Sequence, residues 1–326
     1  MKKPLFIVGI LMLALFSFHW SCSSSEEKAP VAEKEQEAPK CPESDKLLQP
    51  EQLQTYLSEK EDIFLIEVSR EQDFATGHIP GARRIWRPDY EEKQRYPYTG
   101  MRADSQQVAK LLRDLGYSHE SNLVLYDRRG DVDAARFYWI LRGYGHDNLS
   151  LLDGGIDAWQ QRGYATSKEA MPIAEMGNFR FPIDRQLAVR LDREDVQQAL
   201  EDDSYIVLDT RGLDEYEGKE QKKGAFLAGK IPGSIHLDWI ETVKYNGDYS
   251  FKSCEEIEKL LAKRGITKDK KIITYCHSGV RSAHMAFVLT EIMGYPHVEN
   301  YDGSWTEWSF YEELALRSEN KTIINN

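Results

Sequence analysis

The chain repeats itself, and the repeat dictates most of what it can become. Phe64-Leu-Ile-Glu-Val-Ser-Arg70 is an apolar strand pattern ending in a polar turn, and Tyr205-Ile-Val-Leu-Asp-Thr-Arg211 has the same form. An aromatic residue and a glycine–proline turn follow each: Phe74 with Gly77-His-Ile-Pro-Gly-Ala82, and Tyr216 with Gly229-Lys-Ile-Pro-Gly-Ser234. A second apolar strand, Asn122–Tyr126, returns as Lys271–Tyr275. Each runs into a glycine-containing loop and then a helical pattern, Ala134 to Leu141 in one copy and Ser282 to Met293 in the other. Both copies close on an Asp-Gly turn and a tryptophan, from Asp153 to Trp159 and from Asp302 to Trp308. Asp127 and Cys276 stand 149 residues apart, as do Asp153 and Asp302. One offset, met at several points, marks two copies of a single plan. Short strands alternating with helices imply an α/β fold, with a mainly parallel, helix-flanked β-sheet in each copy.

A length of 326 residues accommodates two ordinary domains. The first copy is expected at 46–167 and the second at 184–315. Between them, 168–183 reads as a linker, because Met171-Pro172 and Phe181-Pro182 interrupt any helical or strand period. Residues 316–326 form a tail. At the other end, Lys2 and Lys3 precede an apolar run from Leu5 to Phe18. That run is shorter than the ~20 residues a membrane-spanning helix needs, so 1–21 reads as a signal peptide. Ser21 directly before Cys22, with serines at 23–25, resembles a bacterial lipoprotein signal. The resemblance implies lipidation at Cys22 and an extracytoplasmic protein tethered to the periplasmic side of the inner or outer membrane. Plain secretion or a retained anchor are the alternatives. Residues 22–45, rich in Glu, Lys, Ala and Pro, read as a solvated tether.

Composition removes several function classes. A net charge of −12 without a dense basic cluster argues against a nucleic-acid partner. Cysteines 22, 41, 254 and 276 show no metal-type pairing and are too few for a disulfide scaffold, so each is read singly. Cys41 reads as an incidental thiol of the tether. Cys254, near the start of a helical pattern, reads as structural, or as a resolving thiol if the fold brings it to Cys276.

Tyr275-Cys276-His-Ser-Gly-Val-Arg281-Ser282 carries the chemistry. A cysteine at the C-terminal end of a parallel strand sits where α/β folds bind ligands. The short loop after it leads into a helix N-terminus, so its amides can turn inward as an anion cradle. Such surroundings lower the thiol pKa from about 8.5 and favour the thiolate. Arg281 adds a fixed cation suited to an oxyanion. A lone cysteine can equally be a small buried apolar residue; the polar His277-Ser278-Gly279 that follows favours a working one.

The strand–Cys–loop–helix, the Asp-Thr-Arg…Glu-Tyr…Gly-x-Ile-Pro-Gly pattern and the closing Asp-Gly-Ser-Trp resemble the rhodanese family in its tandem form, over residues 46 to 315. The resemblance implies that the N-terminal copy is inactive, since Asp127 stands where its cysteine would be. It also implies a ping-pong sulfurtransferase without metal or organic cofactor. Cys276 would take sulfur from a small anionic donor, thiosulfate or 3-mercaptopyruvate, as a persulfide, and yield it to a thiophilic acceptor such as cyanide. Amides of His277, Ser278, Gly279, Val280 and Arg281 would hold the persulfide, and Arg281 would orient the donor. A monomer is expected. Phosphatases of the same fold need a longer loop between Cys and Arg than His277–Val280 provides. The loop Cys-His-Ser-Gly matches neither the thiosulfate nor the mercaptopyruvate type in full, and Glu215 falls where both commonly place an arginine; thiosulfate is the expected donor. A sulfane-sulfur carrier or sensor, without turnover of small donors, is the non-enzymatic alternative. Asp209 and Arg211 are expected to brace the active loop by a salt bridge. Trp305 and Trp308 read as core, with Trp305 a candidate wall of the pocket, and His284 as packed or surface. His277 either tunes the thiolate or is simply exposed. The loop Asp127-Arg128-Arg129 reads as an interdomain brace, or else as a cradle still able to bind an anion.

Overall fold

Near-continuous apolar runs build the central strands, because a parallel sheet covered on both faces has no wet side. The computed structural model describes residues 44–172, 175–182 and 190–313. The signal peptide, Cys22, Cys41 and the 316–326 tail lie outside the described residues. The first copy runs β1 (Leu47–Leu48), α1 (Pro50–Glu59), β2 (Ile63–Val68), α2 (Glu71–Phe74), β3 (Arg83–Ile85), α3 (Arg87–Tyr90), α4 (Ser105–Asp114), β4 (Asn122–Tyr126), α5 (Val132–Gly143), β5 (Leu149–Leu152) and α6 (Gly155–Gln161). The second runs α7 (Arg193–Leu200), β6 (Tyr205–Asp209), α8 (Leu213–Tyr216), β7 (Ile235–His236), α9 (Cys254–Ala262), β8 (Lys271–Tyr275), α10 (Val280–Phe287) and β9 (Val298–Asn300). A helix over 304–313 follows.

The strand orders are β1-β5-β4-β2-β3 and β7-β6-β8-β9, with every pairing between strands parallel. Reversed, the second order retraces β5-β4-β2-β3, so the repeat in sequence is a repeat in space and the fold is the expected α/β. β4 and β8 coincide with the apolar runs read from the sequence. β2 and β6 stop two residues before Arg70 and Arg211, where the chain turns away from its neighbours. Both helices after the central strands begin two residues earlier than their periodicity suggests. α10 also passes into a π-helical turn, Val288–Ile292.

The two copies pack as one compact unit. Helices α5 and α10 lie against each other. The rings of Tyr138 and Phe287 meet edge to face at 5.0 Å, and Ala134, Phe137, Met285 and Val288 join one apolar cluster shared by both copies. The aperiodic linker is not loose throughout. Phe179 and Phe181 are buried, against Tyr117 and His146 and against Tyr144 respectively. Each such burial is worth about 2 kcal/mol, which fastens the end of the linker to the first copy.

Candidate active site

β8 lies between β6 and β9, so Cys276 leaves the sheet where strands flank it on both sides. The thiol is free and 1% exposed. Gly279, with φ +80°, turns the loop into α10; a Cβ there would lie 2.8 Å from both Arg136 Nη1 and the Asp302 carbonyl oxygen, so no larger residue fits. The Cys276 N–H donates to Ser304 Oγ at 3.1 Å, and the Ser282 hydroxyl donates to Cys276 Sγ at 3.4 Å. Burial pushes the thiol pKa up. The charge of Arg281, the Ser282 hydroxyl and the N–H groups of Ser282 and Ser278 outweigh it and hold the thiol below its ordinary value.

Arg281 does not stand alone. Its guanidinium grips Glu215 through two bonds, Nη1 to Oε2 at 2.6 Å and Nη2 to Oε1 at 2.9 Å, and Lys222 Nζ meets Oε2 at 2.7 Å. Burial alone would raise the Glu215 carboxyl; Arg281, then Lys222, bring it down to about 2. Glu215 is thus a buried carboxylate clamped by two cations, spending part of the positive field on itself. His277 Nε2 contacts the Lys223 carbonyl at 3.2 Å. Burial and then the charge of Arg281 push its pKa down to about 4, so the ring is neutral beside Cys276. Ser278 is half-buried against Gly100 of the first copy, whose φ is +95°; a Cβ on Gly100 would meet Ser278 Cβ at 2.6 Å.

Asp209 and Arg211 pair with each other, Nη2 to Oδ2 at 2.6 Å, and Arg211 Nη2 also donates to the Gly229 carbonyl at 2.8 Å. The guanidinium lies 5.0 Å from the Trp305 ring. This pair therefore ties β6 to the glycine–proline turn and to Trp305, not directly to residues 276–281. Trp305 and Trp308 are core residues. His284 is wholly buried, stacked on Phe251 at 5.1 Å and edge-on to Trp239. Cys254 is disulfide-bonded while Cys276 is free, so the two do not pair with each other and Cys254 offers no resolving thiol in this state.

The first copy answers Cys276 with Asp127, 2% exposed. Its Oδ1 accepts from the N–H groups of Arg129 at 2.7 Å and Asp131 at 2.9 Å. Its Oδ2 accepts from Asp133 at 2.7 Å and Ala134 at 3.2 Å. Burial and neighbouring Asp133 push this carboxyl up, but with both oxygens taken by N–H donors there is no place for a proton, and the group is ionised. The alternative reading, a cradle open to an external anion, does not hold: the loop amides are taken by its own carboxylate. Beside it Arg128 pairs with Glu67 at 2.6 Å and Arg87 with Asp133 at 2.6 Å, around a cavity of about 200 Å³ that Arg70 and Arg129 also line.

Several residues around Cys276 were not singled out from the sequence: Ser282, Ser304, Lys222, Asn300, and from the other copy Arg136 and Gly100. Ser304 lies in the closing Asp-Gly-Ser-Trp motif and Ser282 in the cysteine motif itself. Nothing in the sequence alone ties Arg136 to a loop 143 residues away.

The family model for the rhodanese-like domain matches residues 49–162 and 192–310. Over 245 residues the chain is 37% identical to the sulfur carrier protein TtuD of Thermus thermophilus, covering 72% of this chain and 83% of that one. A putative thiosulfate sulfurtransferase of Mycolicibacterium smegmatis is 33% identical over 81% of this chain and 95% of its own. Among solved structures, the anaerobic ergothioneine biosynthesis enzyme from Chlorobium limicola, in complex with trimethyl histidine, superposes with a TM-score of 0.69. It is 25% identical, over 81% of this chain and 68% of that one.

Proposed function

This chain belongs to the rhodanese family of sulfurtransferases, and from that membership we propose that it moves sulfane sulfur from thiosulfate to a thiophilic acceptor through a persulfide on Cys276. The observation that carries the proposal is a free cysteine at the end of the central strand, with its sulfur faced by the Ser282 hydroxyl and the N–H groups of Ser278 and Ser282 beside Arg281. The thiolate attacks the outer sulfur of thiosulfate; the S–S bond breaks and its electron pair leaves with sulfite. The persulfide's terminal sulfur would carry the negative charge into the loop, where the amides of His277 to Arg281 would receive it. Cyanide, or a thiol in its place, then attacks that sulfur, thiocyanate or a new persulfide departs, and the Cys276 thiolate returns. No electron is gained or lost overall. A thiol 1% exposed suits a small donor, and Arg281 with Lys222 leaves one net positive charge beside Glu215 to meet an anion.

The test is thiocyanate formation from thiosulfate and cyanide by the purified protein. Turnover is expected in the parent and in Asp127→Ala, and none in Cys276→Ser. Activity persisting in Cys276→Ser would overturn the assignment; 3-mercaptopyruvate preferred over thiosulfate would replace the donor. A second reading, a sulfane-sulfur carrier that hands its persulfide to a protein partner, is favoured by the similarity to TtuD. It predicts stoichiometric persulfide without steady-state thiocyanate. The lipoprotein-type segment at Ser21-Cys22 supports tethering outside the cytoplasm. Incorporation of labelled palmitate that disappears in Cys22→Ser is the expected result, and absence of label in the parent would refute it.

A further inference from the structure

The two copies touch each other's loops in a reciprocal way. Arg136, on α5 of the first copy and 1% exposed, crosses to the second copy: Nη1 donates to the Gly279 carbonyl at 3.3 Å. Its Nη2 donates to the Gly100 carbonyl at 3.0 Å and pairs with Asp302. The Asn300 amide donates to the same Gly279 carbonyl at 3.2 Å. At the equivalent place in the first copy, 149 residues earlier, stands the Gly130 carbonyl. It faces His284 of α10, but neither imidazole nitrogen completes a hydrogen bond to it.

A peptide unit is planar and trans, so its C=O and N–H point in opposite directions. Fixing a glycine carbonyl outward therefore aims the next N–H inward. The silent loop displays the result, since the N–H after Gly130, that of Asp131, donates to Asp127 Oδ1 at 2.9 Å. The N–H after Gly279 is that of Val280. We propose that Arg136 is a positioning residue contributed by the silent domain, which holds the Gly279 carbonyl outward so that the Val280 N–H points at the sulfur bound on Cys276. The silent loop needs no such frame because its carboxylate draws the amides in. In the active loop the anion is formed only with the thiolate or the persulfide, and amide dipoles converging on a neutral thiol oppose one another unless held from outside. The inactive domain is on this account part of the active site.

The proposal rests on the sulfurtransferase reading for its consequence in turnover, but not for its test at the thiol. The groups that set the thiol's titration are Arg281, with Glu215, Lys222 and Asp238 behind it, the Ser282 hydroxyl and the N–H groups of Ser278 and Ser282; Arg136 touches the Gly279 and Gly100 carbonyls and Asp302, and none of these. In the full-length protein, the rate of Cys276 alkylation by iodoacetamide is followed against pH for the parent, Arg136→Met and His284→Phe, with thermal melting to establish folding. Arg136→Met is expected to raise the alkylation midpoint by about one pH unit and to lower kcat with thiosulfate roughly tenfold to a hundredfold at nearly unchanged KM. His284→Phe, the mirror variant at the same interface, is expected to change neither. Should Arg136→Met fail to fold because Asp302 is stranded, Arg136→Met with Asp302→Asn removes the lone carboxylate and carries the same expectation. A folded variant with parental midpoint and kcat overturns the proposal, and so does an equal shift in His284→Phe. If the parent turns over neither thiosulfate nor mercaptopyruvate, the donor reading falls while the alkylation profile still decides the role of Arg136.

Discussion

The two loops occupy the same place in the same fold and differ in where their negative charge comes from. In the silent copy Asp127 supplies it permanently, and four backbone N–H groups close on its two oxygens. In the active copy, on the mechanism proposed above, it would come and go with the thiolate and the persulfide. The surroundings compensate for that difference. Where the active copy has Asn300 on the Gly279 carbonyl, the silent copy has Leu151; where it has Arg281, the silent copy has Val132; and Ser282, whose hydroxyl donates to sulfur, is replaced by Asp133. Even the backbone parts at one residue. Asp131 takes a left-handed φ of +62°, which a β-branched Val280 adopts only at a cost, so α10 starts directly after Gly279. An amide cradle thus needs either an anion built into it or a frame around it, and a nucleophile is only one element of that frame.

The sharpest way to break the comparison is to give the silent loop a nucleophile. Asp127→Cys in a Cys276→Ser background is expected to remain inactive, on the order of a thousandfold or more below the parent in thiocyanate formation. Val132 offers no cation, and the Asp133 carboxylate disfavours a thiolate beside it. Adding Val132→Arg and Asp133→Ser should bring measurable turnover back. A few per cent of parental activity in the simple Asp127→Cys variant would mean that the partners matter far less than the sulfur.

A smaller effect is expected from Glu215→Gln. Neutralising this carboxylate leaves Arg281 and Lys222 uncompensated. The thiolate is then favoured further, and the acid limb of the rate–pH profile moves down by about one unit. The freed cations should also lower KM for thiosulfate. The cost is stability: a carboxyl pulled down to about 2 contributes fully above its unfolded pKa, and that contribution is lost as pH falls toward 2. The variant is therefore expected to melt several degrees lower at pH 7 yet to be less sensitive to acid between pH 4 and 2. A KM for thiosulfate that rises instead would place Glu215 among the groups that help the donor bind.

Much of this site is legible in the sequence. The offset shared by Asp127, Cys276, Asp153 and Asp302 reports the symmetry directly, because an insertion on one side would have broken it. Strands β4 and β8 could be read to the residue, since buried parallel strands are uninterrupted apolar runs with a sharp polar stop. Cys276 and Arg281 stood out for the same reason, as polar chemistry at that stop. What could not be read are contacts made across the symmetry. Glu215 is legible in the sequence only as a departure from the arginine commonly placed there, because the sequence does not say that Arg281 and Lys222 converge on it. Arg136 sits in the helical pattern after β4, where an arginine ordinarily reads as surface; only the packing of α5 on α10 buries it. Phe179 and Phe181 lie in a stretch without periodicity, so their burial had no local signature.

The mildest test concerns the histidines buried on either side of the comparison. His146, in the silent copy, is hydrogen-bonded to the Tyr117 hydroxyl at 2.9 Å, and burial followed by the charge of His119 pushes its pKa down to about 4. His284, in the active copy and facing the silent loop, is pushed by burial to about 3. Both are depressed below the unfolded value near 6.5. The unfolded chain therefore binds the extra protons, and the stability each neutral ring contributes is complete above pH 6.5 and is lost as pH falls toward 4 and 3 respectively. Each site gives a slope of about 1.4 kcal/mol per pH unit within its window. Urea unfolding between pH 7 and 4 should show His284→Phe flattening this dependence while the rate–pH profile of sulfur transfer stays where it was. His146→Phe should flatten it as well, but starting from a less stable protein, because the Tyr117 hydroxyl keeps only its bond to the Ser121 carbonyl. If His284→Phe instead moved the catalytic limb, the ring would be coupled to Cys276 through α10, and the division between a framing interface and a titrating active loop would have to be redrawn.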